Sequence, residues 1–212
     1  MEYLDRTLAT VEDNLKCEEA LLGNCERTGR EILHVWEPRR PSVVAGYSNG
    51  ALEEIDLAAC RRLEVPVVRR RSGGGTVVVG PGCLNYALIL AQQAGGPLAG
   101  ISRTNALIME RLRLAIAGVT GEQVSVEGHT DLVVRRRKFS GNAQYRPRRA
   151  VLFHGTVMLG MDIALIEETL AVPSRAPAYR QNRSHREFLT NLEVSGRDLK
   201  EALREGFSAI FG

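Results

Sequence analysis

The amino-acid sequence predicts an α+β fold, a mixed and largely antiparallel sheet flanked by helices. Three observations carry that prediction. Apolar stripes with helical spacing follow capping residues at 11–22, 104–117, 163–171 and 196–211. Short apolar or alternating runs, bounded by Gly, Pro or charge, occur at 32–36, 42–45, 65–68, 84–90, 124–126, 131–134, 138–145 and 150–159. The two kinds of segment do not alternate regularly, so a doubly wound parallel sheet is not expected.

Taken in order, Thr10 with Asp13 has the form of a capping box, and Leu15, Leu21 and Leu22 extend a helix to Gly23. Strands at 32–36 and 42–45 are separated by Pro38 and Pro41, which cannot donate to a ladder. A short helix over 55–63 leads into the strand at 65–68. Residues 84–90 are almost unbroken in apolar character and read as a buried strand. Thr104 or Ser102 caps a long helix through Ala117, with Gly118 just past its end. Strands follow near 124–126 and at 131–134, then a turn at 135–137, then strands at 138–145 and 150–159. Asp162 caps a helix through Ala171, and 175–185 reads as a polar loop containing proline. Ser195 with Asp198 opens a last helix ending near Phe211.

The composition, 44% hydrophobic and 25% charged over 212 residues, predicts one globular domain over 1–212. A net charge of +3 is too small to imply nucleic acid and suits an anionic small ligand or an acidic protein partner. No apolar run has membrane-spanning length, and the N-terminus lacks the layout of a signal peptide. The four cysteines show no C-x-x-C spacing. These features predict a cytoplasmic protein with reduced thiols, without zinc and without a membrane partner.

The segment from Arg69 to Thr76 reads Arg-Arg-Arg-Ser-Gly-Gly-Gly-Thr. Three glycines without β-carbons let a ligand approach the backbone, and their N–H groups can converge on an anion. The guanidinium groups add a planar fork suited to phosphate or carboxylate. Strand alternation turns Arg70 to one face and Arg69 and Arg71 to the other. A solvated surface hairpin would have the same composition, so the segment alone leaves both readings open. It is neither a Walker A loop nor a G-x-G-x-x-G fingerprint.

A second block holds Gly128-His129-Thr130-Asp131-Leu132, then Lys138-Phe139-Ser140-Gly141-Asn142-Ala143-Gln144, then Phe153-His154-Gly155-Thr156. The order of these motifs after the Gly-rich loop resembles the lipoate-protein ligases of the biotin/lipoate ligase superfamily. The likeness takes in Asn14-Leu15, Glu18-Glu19 and 81–86, and covers roughly residues 10–195. The resemblance implies a biotin/lipoate ligase catalytic-domain-like fold and a two-step reaction. Lipoate or octanoate would attack the α-phosphate of ATP, and a lysine of a lipoyl-carrier domain would take the acyl group as an amide.

By that resemblance Lys138 is the catalytic candidate, holding carboxylate and phosphate oxygens while charge develops. Asp131 corresponds to an aspartate facing the nucleotide and its Mg²⁺. Arg70, Ser72, Gly73, Gly74 and Gly75 map onto an acyl-adenylate loop. Asn85 and His154 fall within matching motifs, although each could equally satisfy buried backbone groups. Ser140, Gly141 and Ala143 would leave room for the ligand beside Lys138. Val77, Val79, Leu84 and Val157 are candidates for an acyl slot and equally suit an ordinary core.

Two departures bear on mechanism. Val79-Gly80 stands where many relatives carry His-Asp. Many lipoate ligases also carry a C-terminal accessory domain, whereas this sequence stops at Gly212. Against that family pattern the sequence reads as a single catalytic domain over 1–212 with no C-terminal accessory domain, which leaves three alternatives: adenylation without it, a separate accessory subunit, or a protein that only transfers acyl groups. An octanoyl/lipoyl transferase acting without ATP would use a cysteine thioester. The corresponding stretch reads Val172-Pro173-Ser174-Arg175, and Cys83 is the one cysteine beside the Gly-rich loop. A non-catalytic binder of lipoate or of a carrier domain is the third reading, opposed by the intact loop and Lys138.

Overall fold

The computed structural model describes residues 1–47, 53–93, 95–173 and 176–211. Helix α1 (Val11–Thr28) starts where Thr10 accepts a hydrogen bond from the Asp13 amide. It runs past Gly23, because the buried stripe continues through Leu22 and Cys25, and it closes at Gly29 with φ 72°. The long helix α3 (Ile101–Thr120) likewise runs through Gly118 and ends on Gly121 at φ 69°. In both helices the glycine that terminates is the one in the left-handed region, and the earlier one is helical.

The main sheet has seven strands in the order β1-β2-β6-β10-β9-β8-β7. These are β1 (Glu2–Asp5), β2 (Ile32–Trp36), β6 (Cys83–Ala91), β7 (Ser125–Glu127), β8 (Asp131–Val134), β9 (Arg137–Tyr145) and β10 (Ala150–Met158). Only the β1–β2 pair is parallel, so the sheet is mixed and largely antiparallel as expected. β1 was not legible in the sequence. A small sheet, β4-β3-β5, joins β3 (Ser42–Ala45), β4 (Val67–Arg69) and β5 (Val77–Val79). β4 begins two residues later than the sequence predicts. Glu64 takes φ 53° and the Val65 amide still bonds to Cys60, at the end of α2 (Leu57–Arg62).

Strand alternation gives the main sheet two unlike faces. Leu33, Val35, Tyr86, Leu88, Val151 and Phe153 belong to the largest core cluster, shared with Leu112 of α3 and Leu203 of α6 (Gly196–Phe211). Ile32, Ala87, Ile89, Ala150 and Leu152 pack instead against Leu22 and Cys25 of α1. Farther along that second face the apolar side chains give way to Asn85, His154 and Thr156. α1 also packs on the small sheet, through Val11, Leu15, Val44 and Val79 around Trp36. Helices α4 (Ile163–Thr169) and α5 (His185–Phe188) come between β10 and α6, with a 3-10 turn at Ala178–Arg180 between them. No helix among the described residues is long and apolar enough to cross a membrane.

Candidate functional site

The Gly-rich loop joins β4 to β5 across the end of β3. Alternation holds as predicted: Arg70 is 8% exposed, while Arg69 and Arg71 lie at the surface. Arg71 meets Glu19 at 3.2 Å. Arg70 spends its donors on the loop and on the adjoining β3. Its Nε donates to Ser72 Oγ at 3.0 Å, Nη1 to Val44 O at 3.1 Å, and Nη2 to the carbonyls of Gly73 and Gly75 at 2.8 Å each. Burial lowers its pKa to about 10, opposed by the nearby Glu18 carboxylate. Arg70 is thus the internal brace of the loop, whose glycines remain exposed.

A buried relay connects this brace to α1. Ser72 Oγ lies 2.6 Å from His154 Nε2, and His154 Nδ1 lies 2.7 Å from Glu18 Oε2. Glu18 Oε1 accepts from Trp36 Nε1 at 2.9 Å. A carboxylate only accepts, so it fixes the His154 proton on Nδ1 and leaves Nε2 to accept from Ser72. Glu18 and Trp36 were not singled out as site residues from the sequence. The signal available was Glu18-Glu19 on a helix whose buried stripe carries only Asn14 as a further polar residue.

Lys138 and Asp131 form the second centre, with Nζ 2.7 Å from Oδ1 and both side chains partly buried. Simple alternation would turn Lys138 to the face of Ser140, away from Gly141. A β-bulge prevents this. Leu132 pairs with Ser140 but Val133 with Lys138, so Phe139 is the extra residue. Phe139 enters the large core and Lys138 returns to the face of Gly141. A β-carbon on Gly141 would lie 2.9 Å from Lys138 Nζ and 3.6 Å from Asp131 Oδ1. Tyr179 donates to the other Asp131 oxygen at 2.7 Å.

Cross-strand register sets the remaining candidates in two rows. Asp131, Gly141, Thr156 and Asn85 align across β8, β9, β10 and β6, and Ala143 and His154 align beside them. Asn85 Oδ1 accepts from Thr156 at 2.6 Å, while its buried Nδ2 has no partner among the described residues. Ser140 is not brought to this face. It pairs with Val157 and Leu132 and is buried beside Asn142, which also accepts from Tyr86 at 2.5 Å. Leu84 and Val157 likewise belong to the opposite core, whereas Val79 and Val77 pack around Trp36. Cys83 is 1% exposed, and burial pushes its thiol up to about 11. Ser174 and Arg175, in the stretch where a thioester cysteine was sought, lie outside the described residues.

Residues 10–208 match the family described as lipoyl protein ligase A/B catalytic domain. Lipoate-protein ligase 1 of Staphylococcus aureus is 28% identical over 180 residues, which are 85% of this chain and 52% of that protein. Octanoyltransferase LipM of Carboxydothermus hydrogenoformans is 28% identical over 232 residues, 99% of this chain and 86% of that protein. The chain therefore spans about half the length of the staphylococcal ligase. A structure from the bi-partite lipoate protein ligase and E2 lipoyl domain system of Thermoplasma acidophilum superposes with TM-score 0.83 at 22% identity, covering 98% of this chain and 82% of that one. That likeness shows the catalytic-domain fold of the biotin/lipoate ligases. Because the family match runs through nearly the whole sequence, the chain belongs to the lipoyl protein ligase A/B catalytic-domain family.

Proposed function

We propose that this chain activates lipoate or octanoate with ATP as an acyl-adenylate and transfers the acyl group to a lysine of a lipoyl-carrier domain. The observation that supports this most is the Lys138–Asp131 pair, 2.7 Å apart, on the sheet face that also holds Asn85 and His154. Two anions, a carboxylate and a triphosphate, must meet for the first step, and a partly dehydrated ammonium offsets their repulsion.

The residues suit a magnesium-bound nucleotide. Among the described residues no group of three or more His, Cys, Asp and Glu could hold a metal by itself. One carboxylate, Asp131, is what Mg²⁺ usually takes from a protein when phosphates and water supply its other oxygens. The orphaned Asn85 Nδ2 is a buried donor in want of an acceptor, and a ligand oxygen would satisfy it. When bound, Mg-ATP supplies an electrophilic α-phosphorus and a neutralised pyrophosphate leaving group.

In this reading Lys138 orients the acyl carboxylate and follows the charge to the phosphate oxygens. Gly141 and Ala143 keep the face open, with Gly141 in contact with Lys138 itself. The loop of Ser72, Gly73, Gly74 and Gly75, braced by Arg70 and His154, closes the other side. In the second step Lys138 stabilises the oxyanion as the acceptor amine attacks the acyl carbon and AMP leaves.

ATP-independent acyl transfer is the second reading. It is favoured by the 86% of the Carboxydothermus LipM that the match spans, against 52% of the staphylococcal ligase. The buried, protonated Cys83 weighs against it. The test is to incubate the protein with octanoate, ATP, Mg²⁺ and a lipoyl domain, and in parallel with octanoyl-carrier protein without ATP. Modification in the first arm alone supports the ligase. Modification in the second arm alone overturns it in favour of the transferase. A need for an added accessory subunit would show as first-arm activity restored by that subunit.

A further inference from the structure

Residues 176–188, which end in α5, fold into a compact strap beside Lys138. The Phe188 ring is its centre. Tyr179 packs on it at 5.2 Å between centroids, and the guanidinium groups of Arg180 and Arg183 stand over it at 4.8 and 5.2 Å. Gln181 and Asn182 reverse the chain in the left-handed region, at φ 53° and 56°. Arg183 then donates to the carbonyls of Tyr179 and Arg180, and also to Arg136 O in the β8–β9 turn. The strap leaves along β9, where Leu189 bridges Lys138 and the Thr190 amide donates to Lys138 O at 2.9 Å. The Lys138 backbone is thus met by the residues just past α5, and its side chain is reached from the strap through Asp131.

The side-chain link is the Tyr179 hydroxyl on Asp131 Oδ2, opposite the Lys138 ammonium on Oδ1. We propose that Tyr179 is a positioning residue for the Lys138–Asp131 pair. Its phenol occupies one carboxylate oxygen, so the carboxylate cannot take the ammonium with both, and Lys138 keeps two N–H donors for substrate oxygens. The inference rests on the proposed roles of Lys138 and Asp131.

Tyr179→Phe tests it, because the ring and its packing on Phe188 are kept. Lys138 reactivity toward acetic anhydride, read by mass spectrometry on the ligand-free protein, should fall about threefold as the freed carboxylate holds the ammonium more tightly. In the ATP-dependent assay kcat should fall about tenfold, with KM for ATP within about twofold and an unchanged melting temperature. In an Asp131→Asn background the same substitution should leave Lys138 labelling unchanged. Wild-type labelling and wild-type kcat in Tyr179→Phe would overturn the proposal. A wild-type protein with no ATP-dependent activity would defeat the ligase reading instead, and the labelling comparison alone would then decide the role of Tyr179.

Discussion

Ser72 Oγ stands 2.6 Å from His154 Nε2 with both residues buried. Loop conformation is thereby coupled to the placement of one imidazole, and that imidazole is held by Glu18 on α1. Glu18 is also the one opposing charge acting on buried Arg70. Glu18→Gln keeps the volume and removes the charge. It should raise KM for acyl substrate about tenfold and cost about 2 kcal/mol, near 4–8 °C in Tm for a domain of this size. Steady-state kinetics and thermal unfolding check both. An unchanged KM would mean that the relay is ordinary core packing.

Lys138→Ala separates chemistry from stability. The pair is partly exposed, with side chains 22% and 16% accessible, so its loss should cost under about 1 kcal/mol. Pyrophosphate release from octanoate and ATP should nevertheless drop at least about a thousandfold. Asp131→Asn should instead move the Mg²⁺ concentration needed for half-maximal rate upward. Full activity in Lys138→Ala would remove that residue from the reaction.

Much of this arrangement was readable before any coordinates. Capping residues and apolar runs marked most elements, and strand alternation alone turned Arg70 inward. Two features were not readable because they depend on partners distant in sequence. The bulge at Phe139 exists only against Leu132 and Val133, and it decides the face on which Lys138 appears. The Glu18–His154 contact joins residues 136 positions apart. Ser140 shows the converse, a residue close to Lys138 in sequence that the same bulge assigns to the opposite face. Helix ends were misplaced at Gly23 and Gly118, since a glycine stops a helix only where the chain adopts positive φ.

Cys83 discriminates between the two catalytic readings. Burial penalises the thiolate, so the thiol ionises near pH 11 rather than near 9, and alkylation should keep rising tenfold per pH unit through pH 9 to 10. Iodoacetamide mapping of the native protein at pH 8 should label the half-buried Cys17 before Cys83. Cys83→Ala should retain the rate and lose about 1–2 kcal/mol of stability from the cavity. Loss of acyl transfer in that variant at unchanged fold would instead identify a thioester enzyme.

Two glycines at the loop offer the sharpest contrast. Gly46 precedes Tyr47 at the end of β3, and a β-carbon there would lie 2.0 Å from Gly74 O and 3.3 Å from Arg70 Nη2. Its φ is not positive, so the conflict of Gly46→Ala is with the loop rather than with its own backbone. The loop must move, at a cost of about 1–3 kcal/mol, and Arg70 loses its fit to the loop carbonyls. A β-carbon on Gly73 would meet nothing within 4 Å among the described residues. Gly73→Ala should therefore leave Tm unchanged within about 1 °C, since none of the described residues opposes the added methyl. If ligand oxygens approach the backbone at that point, the same methyl excludes them, and KM should rise at least about fivefold. Equal kinetics in Gly73→Ala and wild type would place the ligand elsewhere, whatever Gly46→Ala does to the fold.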